Sequence, residues 1–424
     1  MDIYAARRKA VFEKLDRNSD NKLKGLTDDG ERIFSGTQTS KNTVFVVVPQ
    51  NAHMIRPEDS DDVVDVVPTG GGEPVPLETD LLRPWLQGDD VKRWQGEWSG
   101  QHVIFPYGKP EASDEYELLE KDDLEELDHT WDYLKSYESE LRGRESGRWE
   151  NSDQWWEFGR PQNLEKLPHP KLISRDMSET SRFMLDDEGI WYYKTPYGTQ
   201  FIPRYQEKTV EFACELNSKA LEFYLKHIAA MLLSGKYRYQ TRYLKQLPVV
   251  VPEREDLSDS VENTKEIVEA LDKRNKAKRF PESYLEEFLG STDILEYEWS
   301  TDRRPVEERM TNIQERADRS YKIEIGNSDE IVSRYMDTKT RARYVYAAVV
   351  SRRVYSGDES EIPIPQDDEE VERLVNEWQN DRSVYDEVES RRPELEAEIN
   401  QEVYRLFDLD EEEQEIIESF CDSL

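Results

Sequence analysis

Six side chains in residues 219–245 are cationic (Lys219, Lys226, Lys236, Arg238, Arg242 and Lys245) and one is acidic, Glu222. The chain around them is the reverse, with a net charge of −36 over 424 residues. Residues 144–252 hold 16 Lys and Arg against 14 Asp and Glu, which leaves −38 on the rest. A basic segment kept in so acidic a chain calls for a reason. Binding a polyanion is one, because phosphate contacts come from Lys and Arg. A core segment whose cations pair with acids elsewhere in the fold is the other. Aromatic rings interleave with the cations at Tyr237-Arg238-Tyr239 and Arg242-Tyr243, and Arg148-Trp149 precedes Trp155, Trp156 and Arg160. Such mixtures suit stacking on bases and bonding to phosphate. For any single Trp, a place in the core is the simpler reading.

Other chemistry has weaker support. Asp16, Asn18 and Asp20 have the oxygen spacing of a calcium loop, but Asn21 stands where the turn needs Gly and Thr27 where it needs a bidentate Glu. A polar turn after the first helix is expected there. The five histidines are scattered, with no close pair and no partnering Cys, so a zinc site is not expected. There is no Gly-x-Ser-x-Gly run. Carboxylates are so abundant that chance pairs say nothing of a nuclease. The run TGGG at 69–72 lies in a Pro-rich acidic stretch without a clear helix after it, a poor setting for a cofactor loop. Two cysteines give no disulfide framework.

The elements that must position these residues are short. Thr43–Val48 reads as a strand, and 81–86 (LLRPWL) as a short structural helix or turn before a strand at His102–Phe105. Residues 112–143 place Leu, Trp and Tyr at helical spacing. Strands are expected at Lys171–Ser174, Arg182–Leu185, Ile190–Tyr193 and Gln200–Ile202, and a helix within 210–232. From 253 onward helices dominate, with strands at Leu295–Trp299 and Tyr321–Ile325. The acid is spread along nearly the whole chain, as in proteins of a salt-rich cytoplasm, where a Debye length of about 3 Å at 1 M salt screens the repulsion. The start lacks a signal-peptide core, and no apolar run approaches the roughly 20 residues that span a bilayer. A cytoplasmic protein without membrane contact is expected.

Several blocks together resemble a known family. They are IFSGTQTSKNTVFVV (33–47), LLRPWLQGDDVKRW (81–94), HVIFPY (102–107), WDYLKSYESELRGR (131–144), WWEFGRPQNLEKLPHPKLI (155–173), ELNSKALEFYLKHI (215–228), YRYQTRYLKQLPVVVP (237–252) and EINQEVYRLFDLDEEEQEIIE (398–418). Their order is similar to the C-terminal, target-recognition half of TaqI-like adenine-N6 DNA methyltransferases. The resemblance implies an enzyme of two lobes. One binds S-adenosylmethionine and carries an Asn/Asp-Pro-Pro-Tyr/Phe motif, and the other grips DNA and reads sequence. This sequence has no Pro-Pro pair. No cofactor is therefore expected on this chain, with S-adenosylmethionine expected on a separate catalytic lobe.

The resulting expectation is an α+β chain. It comprises an N-terminal helix and connector (1–29), a recognition domain of short strands and helices (30–252), and a mainly helical C-terminal segment (253–424). Its partners would be double-stranded DNA and a methyltransferase catalytic subunit. The residues expected at DNA are Arg160, Gln162, Asn163, Lys171, Tyr237, Arg238, Tyr239, Arg242 and Lys245, followed by Lys92, Arg93 and Trp94. Amide side chains can pair bidentately with adenine, which favours Gln162 and Asn163, unless that loop bonds its own backbone. Two alternatives stay open: a catalytic methyltransferase or nuclease subunit with an unrecognised site, and a remnant that only binds a protein partner.

Overall fold

The computed structural model describes residues 3–50, 54–55, 63–110, 113, 115–232, 234–253, 256–285, 288, 290–298, 311–325, 332–351 and 359–423. Contacts divide the chain into two compact units, residues 1–268 with 392–424, and residues 269–391. The extent of the resemblance implies boundaries at 29/30 and 252/253, whereas the units divide at 268/269 and 391/392. The chain is α+β, and its C-terminal segment is mainly helical, as expected.

The apolar run at 46–49 is continuous because the strand Val46–Pro49 lies inside a six-stranded sheet. The order across that sheet is Tyr192–Tyr193, Leu82–Leu86, His102–Ile104, Val46–Pro49, Val63–Pro68 and Val75–Glu78. All its pairings are antiparallel except that of Tyr192–Tyr193 with Leu82–Leu86. LLRPWL is thus mostly strand and not a helix or turn. Leu82, Pro84, Trp85 and Leu86 are buried, and that burial outweighs the N–H that Pro84 lacks. Aromatic rings fill the core: Phe105 meets Phe158 and Tyr192 edge-on. The helix Asp128–Ser136 adds Trp131 and Leu134, one face at i, i+3 spacing, and Tyr133 donates its hydroxyl to Val44 O at 2.8 Å.

A second, four-stranded sheet runs Phe183–Asp186, Lys171–Ser174, Tyr197–Thr199, Ile33–Ser35, all antiparallel. The strand expected at Gln200–Ile202 lies three residues earlier because Gly198 fixes the pairing. A Cβ there would come within 2.2 Å of the buried Tyr193 hydroxyl, and one on Gly36 within 1.7 Å of Tyr193 O. Arg144 ties the surrounding loops together. Its guanidinium donates to the carbonyls of Leu141, Thr39, Trp155 and Glu157 and lies 4.2 Å from the centre of the Trp149 ring.

Helices close the first unit. Ser218 separates Thr209–Asn217 from Lys219–Ile228 and caps the latter, its hydroxyl accepting from Leu221 N. The helix Glu411–Asp422 begins with a reciprocal capping box between Asp410 and Glu413. It packs Phe420 against Phe223 and His227, while Lys14 of the first helix pairs with Glu413 at 2.6 Å. In the second unit the strand Thr292–Glu298 pairs with Glu359–Pro365, and Thr311–Glu315, Tyr321–Ile325 and Val332–Met336 form a three-stranded sheet. Phe280, Tyr284, Tyr344 and Trp378 make its core. No helix among the described residues is long and apolar enough to cross a membrane.

Candidate nucleic-acid interface

One row of the four-stranded sheet, Ser35–Tyr197–Ser174–Phe183, marks the end where the cations gather. The GRPQN loop meets it at Ser35. Gln38 and Arg160 exchange both backbone hydrogen bonds, at 3.1 and 3.0 Å. This holds the backbone of Arg160 in place and leaves its side chain exposed. Gln162 Nε2 donates to Ser35 Oγ (3.1 Å) and Gly36 O (3.0 Å). Asn163 sits at φ 57° and donates Nδ2 to Ser35 O at 3.0 Å. The two amides therefore spend these donors on the fold, as in the self-bonded loop that the sequence left open.

The segment Tyr237–Tyr239 alternates. Tyr237 and Tyr239 point inward, 5% and 1% exposed, while Arg238 is half-buried, with Nη1 3.5 Å from Asp176 Oδ2. Tyr239 stands edge-on to Phe183, its hydroxyl 3.5 Å from Ser181 Oγ. The next turn exposes Arg242, whose guanidinium lies over the Tyr243 ring at 4.6 Å. Lys245 is half-buried beside Gly30. Among the described residues neither Arg160, Arg242 nor Lys245 has an ion-pair partner. Tyr197 lies within the fields of Asp176, Arg238 and Arg242, and burial, together with Asp176, pushes its hydroxyl above the usual range. Arg238 and Arg242 thus belong to the same end of the sheet as the Arg160 loop.

Four of the expected contacts are corrected by burial. Lys171 is fully enclosed, its ammonium bonding Asp186 Oδ2, Leu167 O and His169 O. It is a core ion pair and presents nothing to a ligand. Tyr237 and Tyr239 are core residues. Trp94 is 1% exposed and donates its indole N–H to Glu396 Oε1 at 3.0 Å. Lys92 is part-exposed and lies 3.6 Å from Glu97. Arg93 donates Nε to Ser181 O at 3.1 Å and faces Glu396 at 3.1 Å and Glu222 at 3.6 Å. Burial alone would raise the Glu396 carboxyl, but Arg93, the Trp94 indole and Arg392 hold it below the usual range.

Two arginines at this end escaped the sequence reading. Arg175 follows the strand Lys171–Ser174 and Arg182 precedes Phe183–Asp186. In SRDMSETSR they look neutralised by Asp176 and Glu179, and only the strand register brings them together. The TGGG run turns between the antiparallel strands Val63–Pro68 and Val75–Glu78, with Gly71 and Gly72 at φ 86° and 137°. That is a hairpin turn and not the strand-to-helix loop that a methyl donor needs.

The first unit thus holds two larger sheets with three two-stranded ones beside them, and the four-stranded sheet gathers cations at one end in an otherwise acidic chain. Residues 83–249 match the family described as the TaqI-like C-terminal specificity domain. Among curated proteins, the chain is similar to the type II methyltransferase M.BstVI of Geobacillus stearothermophilus, 23% identical over 238 residues. That match covers 56% of this chain and 36% of the relative, so the chain spans about a third of the relative's length.

Proposed function

We propose that this chain is the DNA target-recognition part of an adenine-specific methyltransferase of the restriction–modification type, acting with a catalytic lobe that binds S-adenosylmethionine. The observation that carries the reading is the specificity-domain match over 83–249 on a unit that brings Arg160, Arg238 and Arg242 to one sheet end. A relative similar to it is a type II methyltransferase. The mechanism is positioning. Arg160, Arg238 and Arg242 contact phosphates and set register, while neighbouring polar groups face base edges. A target base must leave the stack for methylation, so a lobe that holds the duplex while another does the chemistry is the physical need this domain meets. The acidic remainder repels phosphate and confines DNA to the cationic end.

The test is the double charge reversal Arg238→Glu with Arg242→Glu in the full chain. Duplex affinity falls at every sequence tried, because phosphate contacts are sequence-blind. Unchanged gel shifts at moderate and high salt would remove this segment from the interface. Calorimetric titration with S-adenosylmethionine separates the rival catalytic reading: the purified chain gives no heat of binding, and a saturable isotherm would establish a methyl-donor site here.

A further inference from the structure

The four-stranded sheet ends in a row of three arginines from three chain segments. Ser174 and Phe183 are the last paired residues of their strands, so Arg175 and Arg182 occupy the next step on either side. The third segment runs alongside through a parallel bridge of Trp94 with Met184. Trp94 N bonds Phe183 O and Leu185 N bonds Trp94 O. Arg93 stands next to that bridge, held by its bond to Ser181 O and already faced by Glu396 and Glu222, so it lines the row without being free to take a ligand alone. Arg182 has no carboxylate at ion-pair distance among the described residues, and its Nε reaches only Thr180 Oγ1 at 3.4 Å. Burial, Arg175 and Arg93 disfavour its charge, in that order, and the weaker field of Glu179 only partly offsets them. Arg175 pairs with Asp89, whose side chain is 90% exposed and so gives way readily.

Like charges gathered beside one another cost stability, and in a chain with 93 carboxylates a fold-driven arrangement would have placed one at Arg182. An anion that arrives from outside relieves the repulsion. A tetrahedral phosphate suits forked guanidiniums, which donate to it in pairs. We propose that Arg175 and Arg182, with Arg93 beside them, hold one backbone phosphate of the bound DNA strand, a contact that adds affinity and carries no sequence information. This rests on the DNA-binding reading above.

The experiment measures fluorescence anisotropy of two labelled duplexes of unrelated sequence with the full chain, over a salt series. The variants are Arg182→Gln, Arg175→Gln and Arg182→Lys, each with a melting curve. Each Gln variant is expected to weaken binding to both duplexes alike and to flatten the slope of log affinity against log salt by about 1. Arg182→Lys keeps the slope and loses part of the affinity, since an ammonium cannot donate as a fork. Arg182→Gln melts no lower than the wild type at low salt, because the repulsion is gone. If the wild type binds DNA and both Gln variants match it in affinity and slope, the clamp is wrong and the DNA reading stands. If the wild type binds no duplex, both fall. An affinity loss that vanishes once only folded protein is counted marks a structural role and overturns the clamp. Stabilisation by millimolar inorganic phosphate in the wild type but not in Arg182→Gln, with equal duplex binding, assigns the row to a free ion and overturns the DNA contact.

Discussion

Replacing Lys171 with Met should damage the fold and leave the proposed DNA interface alone. The ammonium is enclosed with Asp186, at 0% and 1% side-chain exposure, and also serves the carbonyls of Leu167 (2.6 Å) and His169 (3.1 Å). Asp186 turns its other oxygen to Gly189 N and Ile190 N, each at 3.0 Å. Removing one partner of such a pair strands the other, which costs roughly 3–5 kcal/mol. Part of that cost depends on pH. Burial already pushes the Asp186 carboxyl up, and Lys171 is what pulls it back. Without Lys171 the folded state holds a proton there that the unfolded chain releases. A raised folded pKa gives stability that is complete below the unfolded value and lost as pH rises through the folded one. The variant therefore falls further behind the wild type between pH 5 and pH 8, by up to about 1.4 kcal/mol per unit until the carboxyl ionises. Adding Asp186→Asn keeps an acceptor for the two N–H groups, removes the charge, and should recover on the order of half the loss. Urea unfolding followed by tryptophan fluorescence reads all of this, and anisotropy reads duplex binding by the folded fraction, which stays at the wild-type value. A Lys171→Met protein as stable as the wild type would refute the core role. A well-folded variant that no longer binds DNA would return Lys171 to the interface.

Three further outcomes follow from single sites. Arg144→Lys should destabilise the first unit by about 2–4 kcal/mol in the same unfolding assay, because three ammonium donors cannot satisfy the four carbonyls that the fork serves; a shift under 1 kcal/mol would show those carbonyls to be cheaply solvated. Glu215 is fully buried and burial raises its carboxyl well above the usual range, with Val250 N donating to it. Holding that proton costs more as pH rises from 5 to 8, so Glu215→Gln gains on the wild type across this window, and a pH-independent difference would count against it. Tyr193 buries a hydroxyl with no partner among the described residues. Tyr193→Phe should therefore leave thermal stability unchanged or raise it by about 1 kcal/mol, and a marked drop in melting temperature would reveal a bond for that hydroxyl.

Fold class and several elements were legible because their signals are local. The strand expected at Lys171–Ser174 lies there, whereas that expected at Thr43–Val48 begins only at Val46, because Asn42–Phe45 forms a single turn of helix before it. Pairing was not legible. Nothing local says that Gly198 faces Tyr193, so the strand expected at 200–202 lies at Tyr197–Thr199 instead. The site residues divide in the same way. Arg160 and Arg242 are exposed, as their settings suggest. Lys171 looked like a free cation only because its partner Asp186 lies 15 residues on, across a strand pair. Arg182 carries no local signal of its own, with Glu179 three residues before it and its neighbour Arg175 brought in only by strand pairing.

The same blindness explains why the basic stretch at 219–245 is a weaker clue than its count implies. Lys219 pairs with Asp422, and Lys226 makes a buried pair with Glu222 on its own helix. Two of the six cations are thus consumed by helix packing, one of them with an acid 203 residues away. What remains outward is Arg238, Arg242, Lys236 and Lys245, too little by itself to draw a duplex to so acidic a protein. Under the proposed DNA reading, the sheet adds Arg160 from one side and Arg175 and Arg182 from the other, while Arg93 is already faced by Glu396 and Glu222. None of these lies in the basic stretch. Duplex affinity should accordingly respond to Arg160→Ala and Arg182→Gln at least as strongly as to Lys219→Ala and Lys226→Ala, whose cost would appear in folding instead. A reversed ranking, measured on folded protein, would put the helix and not the sheet end against DNA.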